Sequence, residues 1–478
     1  MRRSPLHKNH KALAKAESYE QWLEIACAID RLTGAEKWRD EDHCDVYHAS
    51  LLREQSRQMK DLRESGRAAE LSYALTHSLY RNLSDIQSPE LYETALGGPK
   101  RLVTTYLDEC ENALQWLAES DAFALADKKE RFEKAAMVFG RSALMLSGGA
   151  TLGFYHLGVV KGLFEQGILP HVISGSSTGA MVAAGICVRD DDELRAMYDD
   201  PSQIRLDGLA RADVRRFLKT GAMLRSEQLY EVLRHNAGDA TFGEAWDHSG
   251  RVLCISVSPT RVRQKPRLLT PLTAPDVLVA SAALASSALP GLFEPITLQM
   301  RDHTGAIVPY IDTETWVDGS IHGDLPKMRL SRLHNVNHFI VSQTNPHVLP
   351  VAQLRGGMTG TRTTITGLAS SVARNQGSTA IDAFRRVSGR GTLQMLATQA
   401  HTVVSQDYRG DIDIHPRFEP RIYKKVLSNP TRDDLDFFIR EGERAAWGKI
   451  AMIRDHTRIS RAFDRCLRRL AEMDPALS

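Results

Sequence analysis

The chain is poor in the features that would assign it quickly. Its six cysteines, Cys27, Cys44, Cys110, Cys187, Cys254 and Cys466, are scattered with no C-x-x-C pair, which argues against both a zinc ribbon and a disulfide framework. Thiols of this kind are expected buried, in a reducing, cytoplasmic setting. The basic start, Met1 to Lys8, has no apolar stretch behind it, so no secretory signal is read. No run is long and apolar enough to suggest a membrane span. The most apolar long window, Val277 to Leu292, is rich in Ala and Ser and carries Pro290, so it is expected as a core element. The formal net charge over 478 residues is only +2, which gives no indication of nucleic acid as a partner. Nor is there a phosphate-binding glycine pattern: Gly148-x4-Gly153 lacks the Lys-Ser/Thr of a P-loop, and Gly148-Gly149 does not space as G-x-G-x-x-G.

What is present begins at Gly175-Ser176-Ser177-Thr178-Gly179, between the apolar pair Val172-Ile173 and the small-residue run Ala180 to Ala184. A strand-to-helix turn this tight projects its central hydroxyl, Ser177, from the sheet edge, and Gly175 and Gly179 let strand and helix backbones approach. A pentapeptide like this is common by chance, so its neighbours decide. Upstream, Ala143-Leu144-Met145-Leu146 reads as a buried parallel strand that runs into Ser147-Gly148-Gly149-Ala150-Thr151-Leu152-Gly153, followed by a helix over Phe154 to Gln166. Small residues at Gly148, Gly149 and Ala150 suit an oxyanion hole, where backbone N–H groups stabilise a developing negative charge. The bland alternative is a structural tight turn. Downstream, Thr315-Trp316-Val317-Asp318-Gly319-Ser320 delivers a carboxylate from an apolar strand end, whereas the rival Asp207-Gly208 follows Arg205 and reads as a surface turn.

Gly-Gly-Ala-Thr-Leu-Gly, Gly-Ser-Ser-Thr-Gly and Asp-Gly-Ser, in that order, resemble the patatin-like phospholipase family, and Ala285 to Pro295 is similar to the family's segment between nucleophile and aspartate. Gly319 to Pro326, Phe339 to His347 and Leu79-Tyr80-Arg81-Asn82-Leu83 resemble its triacylglycerol-lipase branch, so the likeness spans roughly residues 15 to 465. The resemblance implies a Ser177–Asp318 dyad without histidine, an oxyanion loop at Gly148, Gly149 and Ala150, elbow glycines Gly175 and Gly179, and neither cofactor nor metal. His322, His156 and His347 are the histidines that a triad would need instead. Ala150 and Leu152 stand where the broader family often has a third glycine and a basic residue. Leucine there fits a neutral lipid better than an anionic head group.

The implied function is a serine lipid acyl hydrolase that releases fatty acids from glycerolipid esters, with triacylglycerol as the first expected substrate. Alternatives are a phospholipase A, lysophospholipase or lysolipid acyltransferase, and, in another class, a non-catalytic lipid-surface binding protein. Contact with lipid would be peripheral, at a membrane or lipid-droplet surface. The expected architecture is α/β: a doubly wound, mostly parallel sheet flanked by helices. Its parts are an N-terminal helical region at 10–140, with 126–140 as a charged connection; a catalytic core at 141–346; a basic Gly/Thr/Arg-rich insertion at 347–410; and a C-terminal helical extension at 411–470. Within the insertion, residues 351–400 hold Arg355, Arg362, Arg374, Arg385, Arg386 and Arg390 against Asp382, a composition suited either to an anionic lipid surface or to no partner. The extension is expected as one helix whose apolar side, Trp447, Ile450, Ile459, Phe463, Leu467 and Leu470, packs on the core.

Overall fold

Seven strands form one sheet in a computed structural model that describes residues 5–261, 264–346, 408–416 and 425–473, apart from the side chains of Lys219, Ile321 and His322. The strands of this sheet are β1 Arg141–Leu146, β2 Val172–Gly175, β3 Val252–Pro259, β4 Arg267–Leu269, β7 Trp316–Asp318, β8 Val336–Ser342 and β9 Ile412–Ile414; β5 Gln299–Arg301 and β6 Ile307–Pro309 make a separate hairpin. The order is β4-β3-β2-β1-β8-β9. Pairings β3-β2-β1-β8-β9 are all parallel, while β4 and β7 run antiparallel to β3. β1 to β3 are near-continuous apolar runs because both faces are covered by helices, which is what a parallel sheet requires. The mostly parallel α/β sheet matches the sequence expectation.

The apolar window at 277–292 is a core helix, Val279–Ser287, buried along its whole length. Its small side chains let it lie against β3 and the helix Thr178–Cys187 that follows β2. In the same core, the helix Tyr155–Glu165 packs against Arg432–Trp447 at two glycines. A Cβ on Gly158 would stand 1.9 Å from the carbonyl oxygen of Ile439, and one on Gly442 would stand 2.4 Å from that of Tyr155, so the backbones touch where only glycine fits.

The N-terminal helices include Tyr19–Thr33, Ala49–Glu64 and Arg101–Glu119, and the last of these is the centre of a second apolar core. The charged connection at 126–140 is itself helical, Leu125–Phe139, because Phe132 and Phe139 give it an apolar side that enters this second core. The C-terminal extension also differs from expectation. It opens with β9, whose Ile412 and Ile414 are buried beside β8, and its helical part is two helices, Arg432–Trp447 and Ile450–Glu472, broken at Gly448-Lys449. Thr431 and Asp434 form a capping box that starts the first. Trp447, Ile450, Ile459, Phe463 and Leu470 are buried as the apolar stripe predicts. Ile450 and Ile453 sit in the first core, whereas Ile459, Phe463 and Leu470 sit in the second, so one helix serves both. Each such side chain contributes about 1.5–3 kcal/mol.

Arg81 fastens the junction of the two cores. Its guanidinium donates to the carbonyls of Gly140 (2.8 Å) and His456 (3.1 Å) and lies 4.6 Å over the Phe139 ring. Burial lowers its pKa to about 10, still well above neutrality. The segment 351–400 with its arginines and His347 lie outside the described residues, as does the His322 side chain. No helix among the described residues is long and apolar enough to cross a membrane.

Candidate active site

Three loop ends of the sheet meet at one place. β1 ends at Leu146 and releases Ser147 to Ala150; β2 ends at Gly175 and turns through Ser176-Ser177 into the helix from Thr178; β7 places Asp318 opposite Val257 of β3. The turn after β2 has the tightness its sequence implies. A Cβ on Gly175 would lie 2.3 Å from the carbonyl oxygen of Gly179, and one on Gly179 would lie 2.2 Å from that of Leu146. Ser177 itself is held at φ 53, ψ −126, a backbone region that L-residues rarely occupy. Its N–H is anchored by Ser286 Oγ at 3.1 Å, and that hydroxyl in turn donates to the Ser256 carbonyl at 2.7 Å.

Asp318 is 2 % exposed, and the neighbouring Ser177 hydroxyl favours its charged form. Burial pushes its pKa up to about 6, against hydrogen bonds from Ser320 and Ser177 that favour the charged form. The Ser320 N–H donates to Oδ1 at 2.8 Å. A carboxylate of this strength is ionised at neutral pH and is a better base than an exposed aspartate.

The glycine loop wraps the other side. Gly149 cannot carry a side chain, since a Cβ would come 2.2 Å from Thr344 Oγ1, and Ala150 sits at φ 48 in the left-handed region. The N–H groups of Gly149 and Ala150 have no acceptor among the described residues. Gly148 departs from the sequence expectation: its N–H donates to Asp324 Oδ1 at 2.9 Å, so it is a committed anchor and not a free oxyanion donor. Asp324 is 2 % exposed, and its second oxygen accepts from Asn345 Nδ2 at 2.6 Å. Burial raises its pKa to about 7, opposed by the Gly148 N–H and reinforced by the neighbouring Asp318 charge. Asp324 was present in the Gly319 to Pro326 stretch but its role could not be read. The signal would have been an acid spaced six residues after the candidate base, on a turn that folds back.

His156 has no access to this chemistry. Its Nδ1 meets Ser342 Oγ at 2.7 Å and its Nε2 the Ser147 carbonyl at 2.9 Å, and burial lowers its pKa to about 4, so it is a neutral brace under the loop. Asp207 is exposed and faces Arg205 at 2.8 Å, the surface turn its sequence suggested. Asp190, Glu193 and His248 bring ligand-type atoms within 4.8 Å on the surface, but Asp190 and Glu193 form a capping box and His248 pairs with Glu193.

Ser177, Asp318 and the 148–150 loop open into a cavity of about 420 Å³, within the range of small-molecule sites. Its walls are mainly apolar, from Phe154, Leu157, Met181, Leu229, Leu233 and Phe293. The two cations that reach it among the described residues are engaged: Arg189 donates to the carbonyls of Gly185 (2.5 Å) and Asn236 (2.8 Å), and Arg205 pairs with Asp207.

Known proteins similar to this chain identify its family. Residues 144–328 match the family model "Patatin-like phospholipase", and residues 1–137 match "Domain of unknown function (DUF3336)". The chain is 33% identical over 470 residues to the fission yeast (Schizosaccharomyces pombe) protein "Triacylglycerol lipase ptl3", covering 95% of this chain and 96% of that one. It is 34% identical to "Triacylglycerol lipase 4" of Saccharomyces cerevisiae and 32% identical to "Triacylglycerol lipase SDP1L" of Arabidopsis thaliana, covering 95% and 96% of this chain. It spans only 52% and 58% of those two proteins.

Proposed function

We propose, for this chain, which belongs to the patatin-like phospholipase family, that Ser177 and Asp318 form the catalytic dyad of a lipase acting on triacylglycerol. That it is a carboxylic ester hydrolase of lipids follows from the family. The observation that carries it is a strained serine within reach of a buried, basic aspartate at the end of an apolar cavity.

Asp318 accepts the Ser177 proton as Oγ attacks the ester carbonyl. The oxyanion is received by the N–H groups of Gly149 and Ala150, each worth about 10²–10³ in rate when aimed at the developing charge. The proton on Asp318 passes to the departing alcohol, and a water then deprotonated by Asp318 releases the fatty acid. Elbow glycines Gly175 and Gly179 have no chemical part; they allow the approach that exposes Ser177. Among the described residues the arginines of the cavity are engaged, which favours a neutral ester over an anionic head group, and relatives bearing the name triacylglycerol lipase support the same substrate.

Fatty-acid release from triolein and from phosphatidylcholine by the wild type, Ser177→Ala and Asp318→Asn tests this directly. Triolein is expected to be the better substrate, with both substitutions silencing it. Fluorophosphonate labelling that maps to a residue other than Ser177 would sink the dyad; faster release from phosphatidylcholine would leave the dyad and overturn the substrate.

A further inference from the structure

Large apolar side chains stand in water at one edge of the cavity. The short helix Val214–Thr220 exposes Val214 (75%), Phe217 (46%) and Leu218 (78%), and Met223 follows it at 51%. Single exposed apolar residues are ordinary, but a cluster on one element marks an interaction site. This helix is held in place: Asp213 caps it by accepting the Arg216 N–H at 2.8 Å, and Arg216 turns inward to Glu227 and Glu294. The exposure is therefore not that of a loose end.

The hairpin that carries the helix is fastened to the cavity mouth on two sides. Leu224 N–H donates to the Leu292 carbonyl at 2.9 Å, and Leu209 exchanges two hydrogen bonds with Asn429, at 2.8 and 3.0 Å. Leu209, Leu224, Leu292 and Asn429 all line the cavity that holds Ser177. Arg211 and Arg215 flank the apolar residues, are exposed, and make no ion pair among the described residues.

We infer that the Val214–Thr220 helix and Met223 are the surface by which this protein docks on a lipid surface, with the cavity mouth turned to the lipid. The inference rests on the proposed function: a substrate that resides in a lipid phase reaches Ser177 only through the mouth, so the apolar residues beside that mouth contact the same phase. Phe217, Leu218, Val214 and Met223 enter the acyl boundary, and Arg211 and Arg215 sit at the level of the phosphates, the arrangement of an interfacial amphipathic helix.

Flotation of the full-length Ser177→Ala protein with phosphatidylcholine vesicles, with and without phosphatidylserine, measures docking without turnover. Adding Phe217→Glu and Leu218→Glu together is expected to weaken binding about tenfold or more. Met137→Glu, at an equally exposed apolar residue of the N-terminal region, is expected to leave it unchanged. Arg211→Glu with Arg215→Glu should lower binding only to the phosphatidylserine vesicles. With Ser177 restored, the Phe217/Leu218 variant should lose triolein-emulsion hydrolysis to the same degree while hydrolysing a soluble short-chain p-nitrophenyl ester at the wild-type rate, which also shows that it is folded. Undiminished vesicle binding overturns the inference, as does equal loss on the soluble ester. Concentration-dependent self-association that the variant abolishes overturns it too, in favour of a second copy as the occupant. Should the wild type hydrolyse no ester while flotation depends on Phe217 and Leu218, the enzymatic reading fails and the docking surface stands.

Discussion

The Gly148 N–H donates to Oδ1 of Asp324, 176 positions later, across 2.9 Å, and this bond ties the loop after β1 to the turn after β7. The two candidate catalytic elements, the small-residue loop and the Asp318 turn, are thus held to one another. Stabilisation by fixed donors depends on such rigidity, because donors that must reorganise during the reaction give up most of their advantage.

Asp324→Ala should therefore lower kcat about 10- to 100-fold on a soluble ester with little change in KM, since Gly149 and Ala150 lose their aim while the cavity keeps its walls. Asp324→Asn, whose carbonyl oxygen still accepts the Gly148 N–H, should recover most of that loss. Steady-state kinetics of the pair decide it; equal damage by both substitutions would contradict a positioning role.

Asp318 must be ionised to act as base, and its pKa stands at about 6. The pH profile of kcat/KM on a soluble ester should rise to a plateau with an acid limb near pH 6, about two units above an exposed aspartate. A limb near pH 4 would show that the carboxyl is hydrated in the working enzyme.

The same shift has a stability consequence of opposite sense. A folded pKa above the unfolded value means the folded state binds the proton more tightly, so the full contribution is present below about pH 4 and is lost as pH rises through about 6. Asp318→Asn should raise stability to urea at pH 8 by about 1–3 kcal/mol, with no gain below pH 4. Urea midpoints at the two pH values are the measurement.

Ser177 sits at φ 53, where glycine is nearly free of strain. Ser177→Gly should be more stable than Ser177→Ala by about 1 kcal/mol, with both inactive. Equal thermal midpoints would place the strain elsewhere.

At the glycine contact between Tyr155–Glu165 and Arg432–Trp447, Gly158→Ala should cost about 3 kcal/mol or more, because the added methyl meets backbone and not a movable side chain. Gly162→Ala, with a nearest contact of 3.3 Å on the same helix, should be far milder.

Ser177 and Asp318 were legible because their chemistry is written locally: a glycine-framed serine between strand and helix, and an acid at an apolar strand end. Asp324, Asn345 and Ser286 were not, because they act through contacts formed only when distant turns meet. β9 escaped notice for a related reason. Three residues carry too little periodicity to separate a strand from a loop, and the partner that makes them a strand, β8, lies 70 positions back. The helix at 125–139 was obscured by its charge, since Phe132 and Phe139 count as a core face only once the helices around Arg101–Glu119 are in place.

The Ile450–Glu472 helix, with its first turn in one apolar core and its later turns in the other, makes the two regions thermodynamically inseparable. Loss of either core strips the helix of half its burial and exposes the side chains it covers in the second, while Arg81 loses the carbonyls it spans. Melting should accordingly be a single calorimetric transition, and removal of the last turns should lower the cooperativity of the catalytic half although none of those residues approaches Ser177.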